Sequence, residues 1–88
     1  MPYTEKSKRA PFEKLINEAV ELLSKPDATV GDCNFFISSI IWKLFEKNRR
    51  YTNGNNLMGV LSCVQAEFYR KKLAPYEEEA IVKNGDIK

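Results

Sequence analysis

Histidine is missing from this chain altogether, and cysteine occurs only twice, at Cys33 and Cys63. Without imidazole the commonest general base near neutral pH is gone, and a cysteine nucleophile would lack its usual partner. No Cys-x-x-Cys pair or Cys/His cluster marks a zinc or redox site. Carboxylates offer another route to a metal. Yet Asp32 and Glu67 are the only ones expected in the interior of the second and third helices, while Glu77, Glu78 and Glu79 suit a helix start. No apolar run approaches the ~20 residues of a membrane span, and the N-terminal MPYTEKSKRAPFEK has no apolar signal core. These absences point to a soluble, cytoplasmic protein that is not an enzyme and uses no cofactor and no metal. In a reducing compartment, two thiols on apolar helix faces read as small core residues.

What remains is short. Eighty-eight residues suit a single helical domain over 11–88, preceded by a basic, flexible arm over 1–10 that carries Lys6, Lys8 and Arg9. A domain of this size buries only about 60–65% of the surface its unfolded chain exposes. With disulfides and metals set aside, oligomerisation is the remaining source of stability.

The hydrophobic periodicity is helical throughout, so the expected fold class is all-α. Three main helices and a short C-terminal one would form a small bundle that oligomerises. Helix one should begin at Pro11, where a missing N–H is harmless. It carries Phe12, Leu15, Ile16, Ala19, Val20 and Leu23 at the spacing of one buried stripe and ends at Lys25-Pro26-Asp27. Helix two opens on Thr29-Val30-Gly31-Asp32, the form of a capping box, with Cys33, Phe36, Ile37, Ile40, Ile41 and Leu44 as its core stripe. Asn48 through Asn55 reads as a loop around Asn53-Gly54. Helix three then runs from about Asn56 to Leu73, and Gly59 within it suggests close approach of a neighbouring backbone. A last helix should begin at Pro75 and stop at Asn84-Gly85.

The far side of helix two is less ordinary. Phe35 and Trp42 project roughly opposite its stripe, with Ser38 and Ser39 beside them, where a monomer's surface helix places charge. Large aromatics with small neighbours suggest that this face is the oligomer interface, the alternative being that another part of the same chain covers it.

Fourteen basic residues against twelve acidic ones, for a net charge of +2, fall well short of a dedicated nucleic-acid binder. Basic clusters do exist at Lys6/Lys8/Arg9, Lys47/Arg49/Arg50 and Arg70/Lys71/Lys72, but no helix-turn-helix pattern accompanies them. A small anionic ligand fits better. Arg49, Arg50 and Tyr51 precede an Asn-rich helix start at Asn55, and helix N-termini favour phosphates. Glu67, Tyr69, Arg70 and Tyr76 repeat the arginine and tyrosine chemistry at the other end of helix three. Arginine forks grip phosphates and tyrosine rings stack on bases, and Asn34 can add a hydrogen bond. Any one of these tyrosines would serve equally well as a cap on the core. Together they outline a pocket that chains of an oligomer could close.

Gly31-Asp32-Cys33-Asn34-Phe35, Tyr51 through Asn55, Gly59-Val60-Leu61, Glu67-Phe68-Tyr69-Arg70, Pro75-Tyr76-Glu77 and Asn84-Gly85-Asp86 occur in a telling order. On these residues the chain resembles a family of small uncharacterised proteins of tailed phages and bacteria. It departs from that family's pattern at Cys33, where Leu is usual, and at the second residue after Asn55. The resemblance implies a phage context and transfers no activity. In that context the traits resemble those of oligomeric sponges that sequester nucleotide immune signals. The expectation is therefore a homo-oligomer built on helix two that holds a small nucleotide-like anion without transforming it. A protein-interaction module docking through Phe35 and Trp42 is the alternative.

Overall fold

The computed structural model describes residues 3–87; Met1 and Pro2 of the expected arm, and Lys88 of the expected domain, lie outside them. Among the described residues every regular element is helical. The chain divides into two units between Lys47 and Asn48.

The first unit holds a 3-10 turn, Lys6–Lys8, and the helices α1, Ala10–Leu23, and α2, Val30–Lys47. Regular structure thus reaches into the segment expected to be a mobile arm, where Arg9 Nε also donates to the Thr4 carbonyl at 2.8 Å. Pro11 sits in the first turn of α1 as its chemistry requires, and the Ser24 N–H closes the last turn on the Val20 carbonyl at 2.9 Å. The capping box of α2 forms as read. The Thr29 N–H donates to Asp32 Oδ2 at 2.9 Å, and the Asp32 N–H donates to Thr29 Oγ1 at 3.2 Å. Two donors that a helix start leaves unpaired are satisfied reciprocally.

The second unit is built on α3, Tyr51–Phe68, a π-helical turn, Tyr69–Leu73, and α4, Ala74–Asn84. Two expectations need correction here. Helix three starts at Tyr51 rather than Asn56, because Asn53 secures the entry: its Nδ2 donates to the Asn48 carbonyl at 2.8 Å, and the Gly54 N–H reaches the Arg50 carbonyl at 3.0 Å. Asn53-Gly54 therefore lies inside the first turn of a helix, not in a loop. Nor does the helix break before Pro75. A proline has no N–H to give and its ring crowds the carbonyl four residues back. A widened turn relieves both, and the Ala74 N–H reaches the Tyr69 carbonyl, five residues back. Helix four ends where expected, at Gly85 with φ +91°, a conformation that suits glycine.

Apolar stripes form where the periodicity places them, but no residue among those described is buried. Phe12, Leu15, Ile16 and Val20 of α1 are each more than half exposed, and Ile37, Ile40 and Leu44 of α2 nearly so. Cys33 and Cys63 are exposed free thiols, not core residues. A Cβ built on Gly59 would meet nothing within 4 Å among the described residues, so the close backbone approach expected there is not seen within its unit.

Candidate functional site

Most of the residues expected to meet a ligand lie in the second unit, at two ends of one helix. At the start of α3, Arg50 is the residue before the first turn, extended at φ −125° and ψ 147° and without a side-chain cap. Arg49 and Arg50 thus precede, and the 84% exposed Tyr51 opens, a true helix N-terminus, where first-turn N–H groups attract anions. Asn55 lies a full turn further in, so only its side chain is available.

At the other end, the charges pair with one another. Arg70 Nη2 donates to both carboxylate oxygens of Glu67, at 3.1 and 2.9 Å, and Lys71 Nζ stands 3.4 Å from Glu67 Oε2. All three side chains are substantially exposed, where pairs of this kind contribute little to stability. The pairing aims the arginine without consuming it, since both bonds use a single nitrogen of a five-donor fork. Tyr69 donates its hydroxyl to Glu77 Oε1 at 2.8 Å, spanning the π turn. That hydrogen bond, followed by the charge of Glu77, raises the Tyr69 pKa above its ordinary value of 10.0. Tyr76 is 67% exposed.

The two ends do not meet in one chain. Helix α3 has 18 residues, and at about 1.5 Å each its first and last residues stand roughly 27 Å apart. The Arg49–Asn55 segment and the Glu67–Tyr76 segment therefore do not come together as one pocket along α3. Asn34 belongs to the first unit, and its Oδ1 accepts from Ser38 Oγ at 2.9 Å. On the same helix Ser38 and Ser39 are half-buried, while Phe35 and Trp42 stand out at 74% and 73% exposure.

Two shallow concavities were not foreseen. One, of about 430 Å³, lies along the π turn and is lined by Ser62, Gln65, Ala66, Phe68, Tyr69 and Leu73. The five-residue step from Phe68 to Leu73 ahead of Pro75 was the available signal, because a widened turn opens the helix surface there. The other, of similar size, lies where α1 passes into α2 and is bordered by Leu22, Asp27, Asp32, Phe35 and Phe36. Among the described residues no group of three or more His, Cys, Asp or Glu side chains gathers to hold a metal ion. No helix among them is long and apolar enough to cross a membrane.

With that geometry in place, the chain belongs to the family described as a domain of unknown function, DUF6899, whose family model matches residues 1–87. No curated protein and no solved structure matches it.

Proposed function

We propose that this DUF6899 chain is a non-enzymatic binding protein that works as a homo-oligomer and holds a small anionic, nucleotide-like ligand between its copies. The observation that carries this reading is the uncharged helix α3, with an exposed apolar face and arginines at both ends. Tyr51 through Ala66 contains no charged residue, yet Met58, Val64 and Phe68 are each at least 60% exposed. An uncharged helix with an exposed apolar face is suited to association. Arg49 and Arg50 of one copy and Arg70 of another would then meet phosphates, with Tyr51, Tyr69 or Tyr76 stacking on a base. Glu67 orients Arg70, while Asn34 and Asn55 supply amides at the margin. The resemblance to phage proteins makes sequestration of a nucleotide-derived immune signal the specific form of this proposal, in the cytoplasm of an infected host.

Native mass spectrometry of protein purified gently from cells making such signals tests the reading. A multimer carrying a few hundred daltons per site (an order of magnitude set by ligand size) supports it, and Arg70→Ala should lose that added mass while keeping its helicity. A clean apo monomer refutes it. The second reading, docking of a host or phage protein, is favoured by one observation: Phe35 and Trp42 are about three-quarters exposed and seven residues apart, hence on one face of α2.

A further inference from the structure

Asparagine precedes glycine at two places in this chain, Asn53-Gly54 and Asn84-Gly85. The pair is reactive as well as turn-forming. The backbone nitrogen after an asparagine can attack the side-chain carbon Cγ, and a glycine in that position has no Cβ to hinder the approach. Attack requires that nitrogen to leave its hydrogen bond and the asparagine to leave helical geometry, which holds Cγ away from it. The bonds around each pair therefore decide which one reacts.

Asn53-Gly54 is held from both sides. Asn53 Nδ2, the would-be leaving group, donates to the Asn48 carbonyl at 2.8 Å, and the Gly54 nitrogen donates to the Arg50 carbonyl at 3.0 Å. Helix α3 runs on to Phe68, so a rotation at Asn53 also breaks the helical bonds that bridge it. Both residues are half-buried. Asn84-Gly85 differs in each respect. Asn84 is the last residue of α4 and is exposed. The Gly85 nitrogen is held by the Ile81 carbonyl at 2.7 Å, but no helical turn follows to reinforce that bond. Gly85 has already left helical geometry at φ +91°, and a Cβ built on it would meet nothing within 4 Å among the described residues. Terminal turns open at little cost in free energy.

We propose that Asn84 is a site of spontaneous succinimide formation in the folded protein, and so of deamidation, whereas Asn53 is protected. The Gly85 nitrogen forms a bond to Asn84 Cγ and gives up its proton. The Cγ–Nδ2 bond breaks, and Nδ2 leaves with that proton as ammonia. Water then opens the ring. Hydrolysis at Cγ yields aspartate, and hydrolysis at the main-chain carbonyl yields isoaspartate, in which the backbone runs through the side-chain carbon. The imide nitrogen carries no hydrogen, so the Ile81 carbonyl loses its donor as soon as the ring closes. Either product leaves a carboxylate at the negative end of the helix, where charge of that sign is destabilising. The dipeptide that stops α4 thus also removes its last turn with age.

The test is incubation of the full chain in mildly alkaline buffer, folded and in urea, with samples digested by trypsin. Cleavage after Arg50, Arg70 and Lys83 puts the two pairs on separate peptides, 51–70 and 84–88. Urea gives each pair its unprotected rate. In the folded protein, peptide 84–88 should deamidate within about threefold of that rate, and peptide 51–70 at least about tenfold below it. Labelling by an isoaspartyl methyltransferase should appear on peptide 84–88. Asn84→Gln, whose longer side chain closes its ring slowly, should keep the hydrogen-exchange protection of the Gly85 amide that the unaltered chain loses on incubation. Equal slowing of both peptides on folding overturns the proposal, as does an Asn53 that keeps pace with Asn84.

Discussion

Replacing Phe68 with alanine should weaken self-association far more than its single side chain suggests, because a two-fold pair contains it twice. Phe68 is 60% exposed, and an aromatic side chain offers about 200 Å² for burial. Covering the remainder therefore removes roughly 120 Å² per copy from water, worth about 3 kcal/mol at ~25 cal/mol per Å². Two copies make about 6 kcal/mol for complete burial, an upper figure because packing at an interface is rarely complete. Half of it, about 3 kcal/mol, already raises the dissociation constant roughly a hundredfold. Sedimentation velocity over a concentration series measures the shift, with circular dichroism as the check that helix persists. An unchanged association constant for Phe68→Ala would refute self-association through α3. The informative counterpart is Trp42→Ala on α2. Should that variant dissociate the oligomer while Phe68→Ala does not, the α2 face originally expected as the interface is the true one.

Two further predictions follow from hydrogen bonds seen directly. Thr29→Ala removes the acceptor for the Asp32 N–H and should cost about 0.5–2 kcal/mol, read as a lower urea midpoint with an unchanged slope. Glu77→Gln removes the carboxylate that holds the Tyr69 proton and should bring the raised Tyr69 pKa back down toward its ordinary value. Because the folded-state pKa is raised, the contribution of this bond is present below the unfolded value and is lost as pH rises through the folded one. Alkaline titration followed by tyrosinate absorbance shows the difference, and an identical titration curve in the variant would sink the assignment.

How much of this was legible beforehand differs by element. The capping box at Thr29 and Asp32 and the glycine stop at Gly85 are local rules, written within four residues of the bonds they make, and both hold. Asn53-Gly54 misleads because the same dipeptide chemistry that makes turns can secure a helix entry; what decides is whether the Asn48 carbonyl lies within reach of the Asn53 amide. Pro75 misleads in the opposite sense. It reads as a boundary, yet one extra residue in the preceding turn lets the helix pass. The candidate site suffered from the error at Asn53-Gly54: a loop to Asn55 would have left the arginines free to fold back, whereas a helix from Tyr51 holds them at its far end. Periodicity names the apolar face of a helix but says nothing of what covers it, which is why Cys33, Cys63 and the stripes of α1 and α2 were expected in a core.

The exposure of the apolar faces among the described residues and the split site have a common physical consequence. Helices of 14 and 18 residues are marginal in water unless an apolar face is packed, and here capping bonds and exposed ion pairs are the local contributions on view. Surface pairs such as Glu67 with Arg70 contribute at most about 1 kcal/mol, too little to offset a backbone ordering cost of about 1–2 kcal/mol per residue. The deficit has to be met by burial against something else. If that something is a second copy, the step that stabilises the helix could also bring opposite ends of two α3 helices together and so assemble the site. Ligand and partner then stabilise the same state, and binding of either strengthens binding of the other by linkage. A protein built this way needs no preformed cavity in the single chain, which accounts for why the concavities along α3 and at the α1–α2 connection are shallow while the residues suited to an anion stand at the ends of a bare helix.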